Sequence, residues 1–94
     1  IRYRPGYFDA ELNLGNVLAL EGRLDDAAAL LGSLVPEHSD DADLRNDYGT
    51  VLAEQGKLEA ARDQFGEAVR LRPDFTEARN NLDHVTADLR KASP

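Results

Sequence analysis

Ninety-four residues with a formal net charge of −7 make one domain of modest core, and they argue against a nucleic-acid partner, because phosphate binding needs clustered Lys and Arg. The absence of Cys excludes a disulfide framework, a thiolate nucleophile and a Cys-rich metal site. No apolar run approaches the ~20 residues of a membrane span, and nothing at Ile1 resembles a signal peptide, so the expectation leans to a soluble, cytoplasmic protein.

The chain opens with Ile1-Arg2-Tyr3-Arg4-Pro5, the same pattern as Val69-Arg70-Leu71-Arg72-Pro73 two repeat lengths later. With no initiating Met, residues 1–7 are expected to be the remnant of a preceding unit, and the chain a C-terminal piece of a longer array. A first helix follows, with Ala10, Leu14, Val17 and Leu18 at three- and four-residue steps on one face, ending at Gly22. A second carries Leu24, Ala27, Leu31 and Leu34. It is expected to stop near Leu34 or Val35, since Pro36 biases Val35 away from α geometry, leaving Glu37–Ser39 as a loop. Asp40 is the expected N-cap of the third helix (Ala42, Tyr48, Val51, Leu52), which breaks at Gly56. The fourth helix holds Leu58, Ala61, Phe65 and Ala68 and is closed by Pro73. Asp74, with Glu77 three residues on, reads as a capping box for the last helix.

These elements repeat every 34 residues, as Gly15 to Gly49 and Gly22 to Gly56 show. Laying Phe8–Asp41 over Ala42–Phe75 also matches Asp9 with Asp43, Val17-Leu18-Ala19 with Val51-Leu52-Ala53, Leu24 with Leu58, Ala27 with Ala61, Gly32 with Gly66, Val35 with Val69 and Asp40 with Asp74. The predicted organisation is a repeat at 8–41, a second at 42–75, and a capping helix and tail at 76–94. In the capping helix Gly15 and Gly49 become Asp83, and Leu18 and Leu52 become Thr86. A helix lacking a partner on that side can expose such groups, so the array is expected to end here. Within each unit, Gly15 and Gly49 should let the helix carrying Ala27 and Ala61 approach closely, while Leu31 and Phe65 fill the wider gap.

Leu14-Gly15, Leu18, Gly22, Ala27, Leu31 and Leu34 resemble the tetratricopeptide repeat pattern, and Tyr48-Gly49, Leu52, Gly56, Ala61, Phe65, Ala68 and Pro73 resemble it again. The departures are Ser39 where a closing Pro belongs, Pro36 three residues early, and Glu11, Arg45 and Arg79 in place of an aromatic. The resemblance implies an all-α fold, a right-handed superhelical solenoid of antiparallel helix pairs that binds other proteins along a concave groove. Carried over to this chain, that groove is lined by Asp9, Leu12, Asn13, Asn16 and Leu20, then Asp43, Asn46, Asp47, Thr50 and Glu54, then Glu77, Asn80, Asn81, His84 and Asp88. Six of these (Asp9, Asp43, Asp47, Glu54, Glu77 and Asp88) are carboxylates and none is Lys or Arg. The apolar end should lie at Leu12 and Leu20, the acidic end at the carboxylates beyond. A ligand with Lys or Arg beside an apolar anchor is therefore expected, against the plainer account of a solvated acidic face.

Family members that grip the C-terminal carboxylate of heat-shock chaperones use Lys, Asn, Asn, Lys and Arg at set places. Here those places hold Leu12, Asn16, Asp47, Glu77 and Asn81, which would repel a carboxylate, so that function is rejected. Other members stack asparagines that hold a peptide backbone, and Asn13 and Asn81, with Asp47 between, occupy those places. No catalytic site is read: His38 and His84 have no metal-pair spacing, Asp40-Asp41 are helix-start residues, and no nucleophile has an accompanying base. Arg2, Arg4, Arg70 and Arg72 read as solvated residues favourable against helix dipoles. No cofactor is implied. The leading expectation is a peptide-binding module of unidentified partner. The alternatives are a structural segment, a homodimer through an uncapped N-terminal face (Tyr3, Tyr7, Phe8, Leu12), and an accessory domain of a larger enzyme.

Overall fold

In the computed structural model, which describes residues 7–92, the apolar spacing becomes five helices. They are α1 (Phe8–Leu20), α2 (Leu24–Leu34), α3 (Ala42–Glu54), α4 (Leu58–Leu71) and α5 (Thr76–Ala92), with no strand among the described residues. The repeat is exact in the first helix of each pair, whose bounds move by 34 at both ends, from 8 to 42 and from 20 to 54. Each helix packs on its sequence neighbours, and α1, α3 and α5 also touch in succession. The result is an all-α helical-repeat solenoid, elongated at 44 × 28 × 19 Å. None of its helices is long and apolar enough to cross a membrane.

The turns inside each pair are made by glycine in the left-handed region. Gly22 and Gly56 both have φ of 81°. The amide of Gly22 donates to the Ala19 carbonyl, and that of Arg23 to Leu18; Gly56 to Ala53 and Lys57 to Leu52 repeat this. That pair of bonds satisfies carbonyls the helix end would otherwise leave bare. A side chain at this φ costs about 1–2 kcal/mol. Gly56→Ala should therefore lower stability by about that much in denaturant titrations, with nothing to offset it because no atom lies within 4 Å of the added carbon.

At Pro36 the outcome differs in detail from expectation. The α-helix stops at Leu34, where the full period would carry it to 71 − 34 = 37. Yet Val35 keeps α geometry (φ −59°, ψ −44°), and Val35–Glu37 continue as a single 3₁₀ turn, so Glu37 belongs to that turn and not to the loop. Pro36 falls in the first turn of this short helix, where its missing N–H costs nothing.

Both N-cap expectations shift by one or two residues. Asp41, not Asp40, caps α3, accepting from the Leu44 amide at 2.9 Å. Asp74 does not cap α5, since a turn closed by the Phe75 amide on the Arg72 carbonyl leaves it two residues ahead of Thr76. Glu77 spends its carboxylate elsewhere, on Asn46.

The core forms two clusters. Ala27, Leu31, Leu34, Leu44 and Val51 hold α1, α2 and α3 together with Phe8, Leu12 and Leu18 against them. Leu52, Ala61, Phe65 and Val85 do the same for α3, α4 and α5, and Tyr48 packs on both. The glycines of α1 and α3 sit closest to the large side chains of the helices that carry Ala27 and Ala61. A carbon added at Gly15 would lie 2.5 Å from Leu31 Cδ2, and one at Gly49 2.7 Å from Phe65 Cε1. They make room for the large side chains themselves.

Candidate functional site

Because α1, α3 and α5 touch in succession, their exposed edges form a continuous face containing two adjoining clefts. The first, about 380 Å³, has Ala19, Leu20 and Val51 as apolar wall and Asn16, Asp47, Thr50, Glu54 and Glu77 as polar lining. The second, about 280 Å³, is floored by Ala53, Leu58, Phe65 and Val85, with Thr50, Glu54, Asn81, His84 and Asp88 around it. Thr50 and Glu54 border both, and no Lys or Arg lines either.

Of the residues read from the sequence, the structure gathers Asn16, Leu20, Asp47, Thr50, Glu54, Glu77, Asn81, His84 and Asp88 around the clefts. Asp9, Asn13 and Asn80 are exposed but border neither cleft. Leu12 is turned into the first core cluster. Asn46 is 1% exposed and sits inside the α3–α5 contact. Asp43 meets Arg72 at 3.0 Å, so its charge is matched at the edge of the stack. Arg72 is thus more than a solvated residue: its guanidinium also lies over the Phe75 ring at 3.9 Å. Arg70 pairs with Glu67 at 2.9 Å. The sequence reading missed the apolar floor (Ala53, Leu58, Phe65 and Val85), because these residues carry the core period and nothing local marks them as also reaching an open cleft.

The amides of the groove are spent on protein oxygens. Asn16 Nδ2 donates to Asp47 Oδ2 at 3.0 Å, joining α1 to α3. Asn46 Nδ2 donates to Glu77 Oε2 at 2.7 Å, and Asn81 Nδ2 donates to Asn46 Oδ1 at 3.0 Å, joining α3 to α5. Buried Asn46 thus has both ends of its carboxamide satisfied, as burial requires. Of the row expected to face a peptide backbone, Asn81 and Asp47 take part in these bonds between repeats. Exposed Asn13 takes no part in them, and Asp47, when ionised, can only accept.

Asp47 is also the perturbed carboxyl of the site. Burial pushes its pKa above the 3.8 of an unperturbed aspartate; the Asn16 hydrogen bond opposes this, while the carboxylates of Asp43, Glu77 and Asp41 add to it. The folded state therefore holds this proton more tightly than the unfolded chain, so the contribution to stability falls as pH rises from 3.8 through the raised value. Asp47→Asn, which keeps an oxygen for Asn16, should raise the melting temperature near neutral pH and leave it unchanged below pH 3.8. Equal melting temperatures of the two proteins across the whole range would contradict this.

The two histidines make separate local contacts. His38 stacks on Phe8 with ring centroids 3.8 Å apart, and His84 Nε2 stands 3.9 Å from Asp88 Oδ2 with its side chain 84% exposed. Among the described residues no group of His, Cys, Asp and Glu is arranged to hold a metal ion.

No curated protein is similar enough to match the chain. A family model described as Tetratricopeptide repeat matches residues 1–42 and again 46–82, taking in both helix pairs and the start of α5. The chain belongs to the tetratricopeptide repeat family.

Proposed function

We propose that this chain is an interaction domain whose groove along α1, α3 and α5 holds a segment of another protein bearing basic and apolar side chains. Tetratricopeptide repeats generally mediate protein–protein interaction. The observation that carries the finer reading is the lining of the groove. Apolar walls alternate with the carboxylates of Asp47, Glu54, Glu77 and Asp88, and no Lys or Arg of the described residues is among them. Complementary charge would steer such a partner and fix its register, and the exposed part of that attraction is screened by salt. The reading invokes no catalysis, cofactor, nucleic acid or membrane.

Changing Glu54 and Asp88 together to Lys, which leaves the Asn16–Asp47 and Asn46–Glu77 bonds in place, should abolish capture of Lys- and Arg-containing peptides from a displayed random library, while circular dichroism shows the helices intact. Unchanged capture by that double variant would count decisively against the groove. A second reading, self-association through α1, is favoured by a separate observation. Val17 is 47% exposed and Leu14 48%, although Val51 and Val85, one and two repeats on, are 2% and 3% exposed.

A further inference from the structure

The two clefts differ in chemistry, and the difference runs along the groove in a fixed order. In the α1–α3 cleft, the polar lining is dominated by acceptors. Asn16 directs its amide at Asp47, and Asp47, Glu54 and Glu77 contribute carboxylates that no Lys or Arg among the described residues pairs with. The apolar wall of Ala19, Leu20 and Val51 lies beside them. A long aliphatic stem ending in a cation fits such a surface on both counts, since Lys and Arg bury their methylenes while keeping the charge among acceptors. The raised pKa of Asp47, caused by burial and by neighbouring negative charge, is relieved by the arrival of a cation.

The α3–α5 cleft is the more apolar of the two. Its floor is Phe65 with Ala53, Leu58 and Val85, and its polar groups stand at the rim. At about 280 and 380 Å³, the clefts fall at or just inside the lower end of the roughly 300–1,000 Å³ typical of small-molecule sites. Each suits a side chain better than a whole cofactor. Since Thr50 and Glu54 border both, the two ligand side chains must lie close together on one face of the ligand.

We infer that the groove reads two side chains of its partner in order: a Lys or Arg in the α1–α3 cleft beside Asp47 and Glu54, and an aliphatic or aromatic residue in the α3–α5 cleft on Phe65. This deepens the proposed function and rests on it. The ligand pair is set about 5–7 Å apart, two residues along an extended strand or one turn along a helix. Ala53 borders only the α3–α5 cleft, so the apolar preference is separable from the basic one by mutation.

The test is selection of random 12-residue displayed peptides on the 94-residue chain, followed by fluorescence polarisation with the strongest peptide. Wild type should enrich peptides with a basic and an apolar residue within four positions of each other. Glu54→Lys alters an exposed side chain bordering both clefts, so folding is not at issue. It should weaken the selected peptide about tenfold or more and replace Lys and Arg with Asp or Glu in a fresh selection. Ala53→Leu, which fills the α3–α5 cleft, should remove the apolar preference and keep the basic one; equal melting temperatures verify that both variants are folded. Enriched peptides lacking the basic–apolar pair, or a pair that Glu54→Lys and Ala53→Leu leave unchanged, overturn the two-cleft reading while leaving peptide binding in place. No enrichment at all overturns the proposed function itself.

Discussion

Gly49→Leu is expected to be the most damaging single substitution in this chain, and Gly66→Ala to be stabilising, although both glycines lie inside helices. The first carbon of any side chain at Gly49 would stand 2.7 Å from Phe65 Cε1 and 2.8 Å from Cδ1. Phe65 is 2% exposed and packed with Leu52, Ala61 and Val85, so any shift of its ring disturbs that cluster. Overpacking of this kind costs about 1–3 kcal/mol, and a leucine adds further atoms to the same space, so a loss of about 3 kcal/mol or more is expected. Even Gly49→Ala should lose stability, because the gain of about 1 kcal/mol in helix propensity is smaller than the clash. At Gly66 nothing lies within 4 Å, so the propensity gain stands alone. For a domain of this size each kcal/mol moves the melting temperature by about 4–8 °C. Thermal melts of the three variants should therefore bracket wild type, with Gly66→Ala above and Gly49→Leu well below. Adding Phe65→Leu to Gly49→Ala should recover part of the loss by opening the gap. A Gly49→Ala protein melting above wild type would show that the helices slide apart at small cost.

That contrast marks where sequence reasoning reached and where it stopped. The 34-residue period gave the helix pairs, the breaks at Gly22 and Gly56, and the early stop before Pro36, because each is a local property of backbone and side-chain spacing. Which residue faces Gly15 or Gly49 is a matter of helix rotation, which spacing alone does not set. Asp40 and Asp41 are chemically equal candidates for a cap, and only the last turn before α3 chooses Asp41. Asn46 is the clearest case. Its polarity reads as surface, but partners 31 and 35 residues away, Glu77 and Asn81, satisfy it in the α3–α5 contact. The groove was legible as a set of helix edges. Its division into a cleft by α1 with three carboxylates and an apolar-floored cleft by α5 was not.

The N-terminal end of the stack carries the second large expectation, that the chain self-associates through α1. Ala10, Leu14 and Val17 occupy the helix positions held one repeat later by Leu44, Tyr48 and Val51. Leu44 and Val51 are 0% and 2% exposed because α2 lies over them, whereas Leu14 and Val17 stand about half exposed and Tyr7 is 54% exposed beside them. Phe8 and Leu12, expected on this surface, are instead packed against the first cluster, and Tyr3 lies outside the described residues. A contiguous apolar face of this kind is normally covered in solution. The far end of the stack does not offer the cover, since Asp83 stands exposed on α5 where Gly15 and Gly49 admit a large side chain. Head-to-tail stacking would bury that carboxylate without a partner, so two copies joining their α1 faces about a two-fold axis is the expected arrangement, which closes on itself. Sedimentation across a concentration series should show a dimer dissociating on dilution. Leu14→Glu with Val17→Lys should shift the chain to monomer at every concentration without loss of helicity, because neither side chain supports the fold from its exposed position. A wild-type chain that stays monomeric throughout and melts at the same temperature as this double variant would show that the α1 face needs no cover.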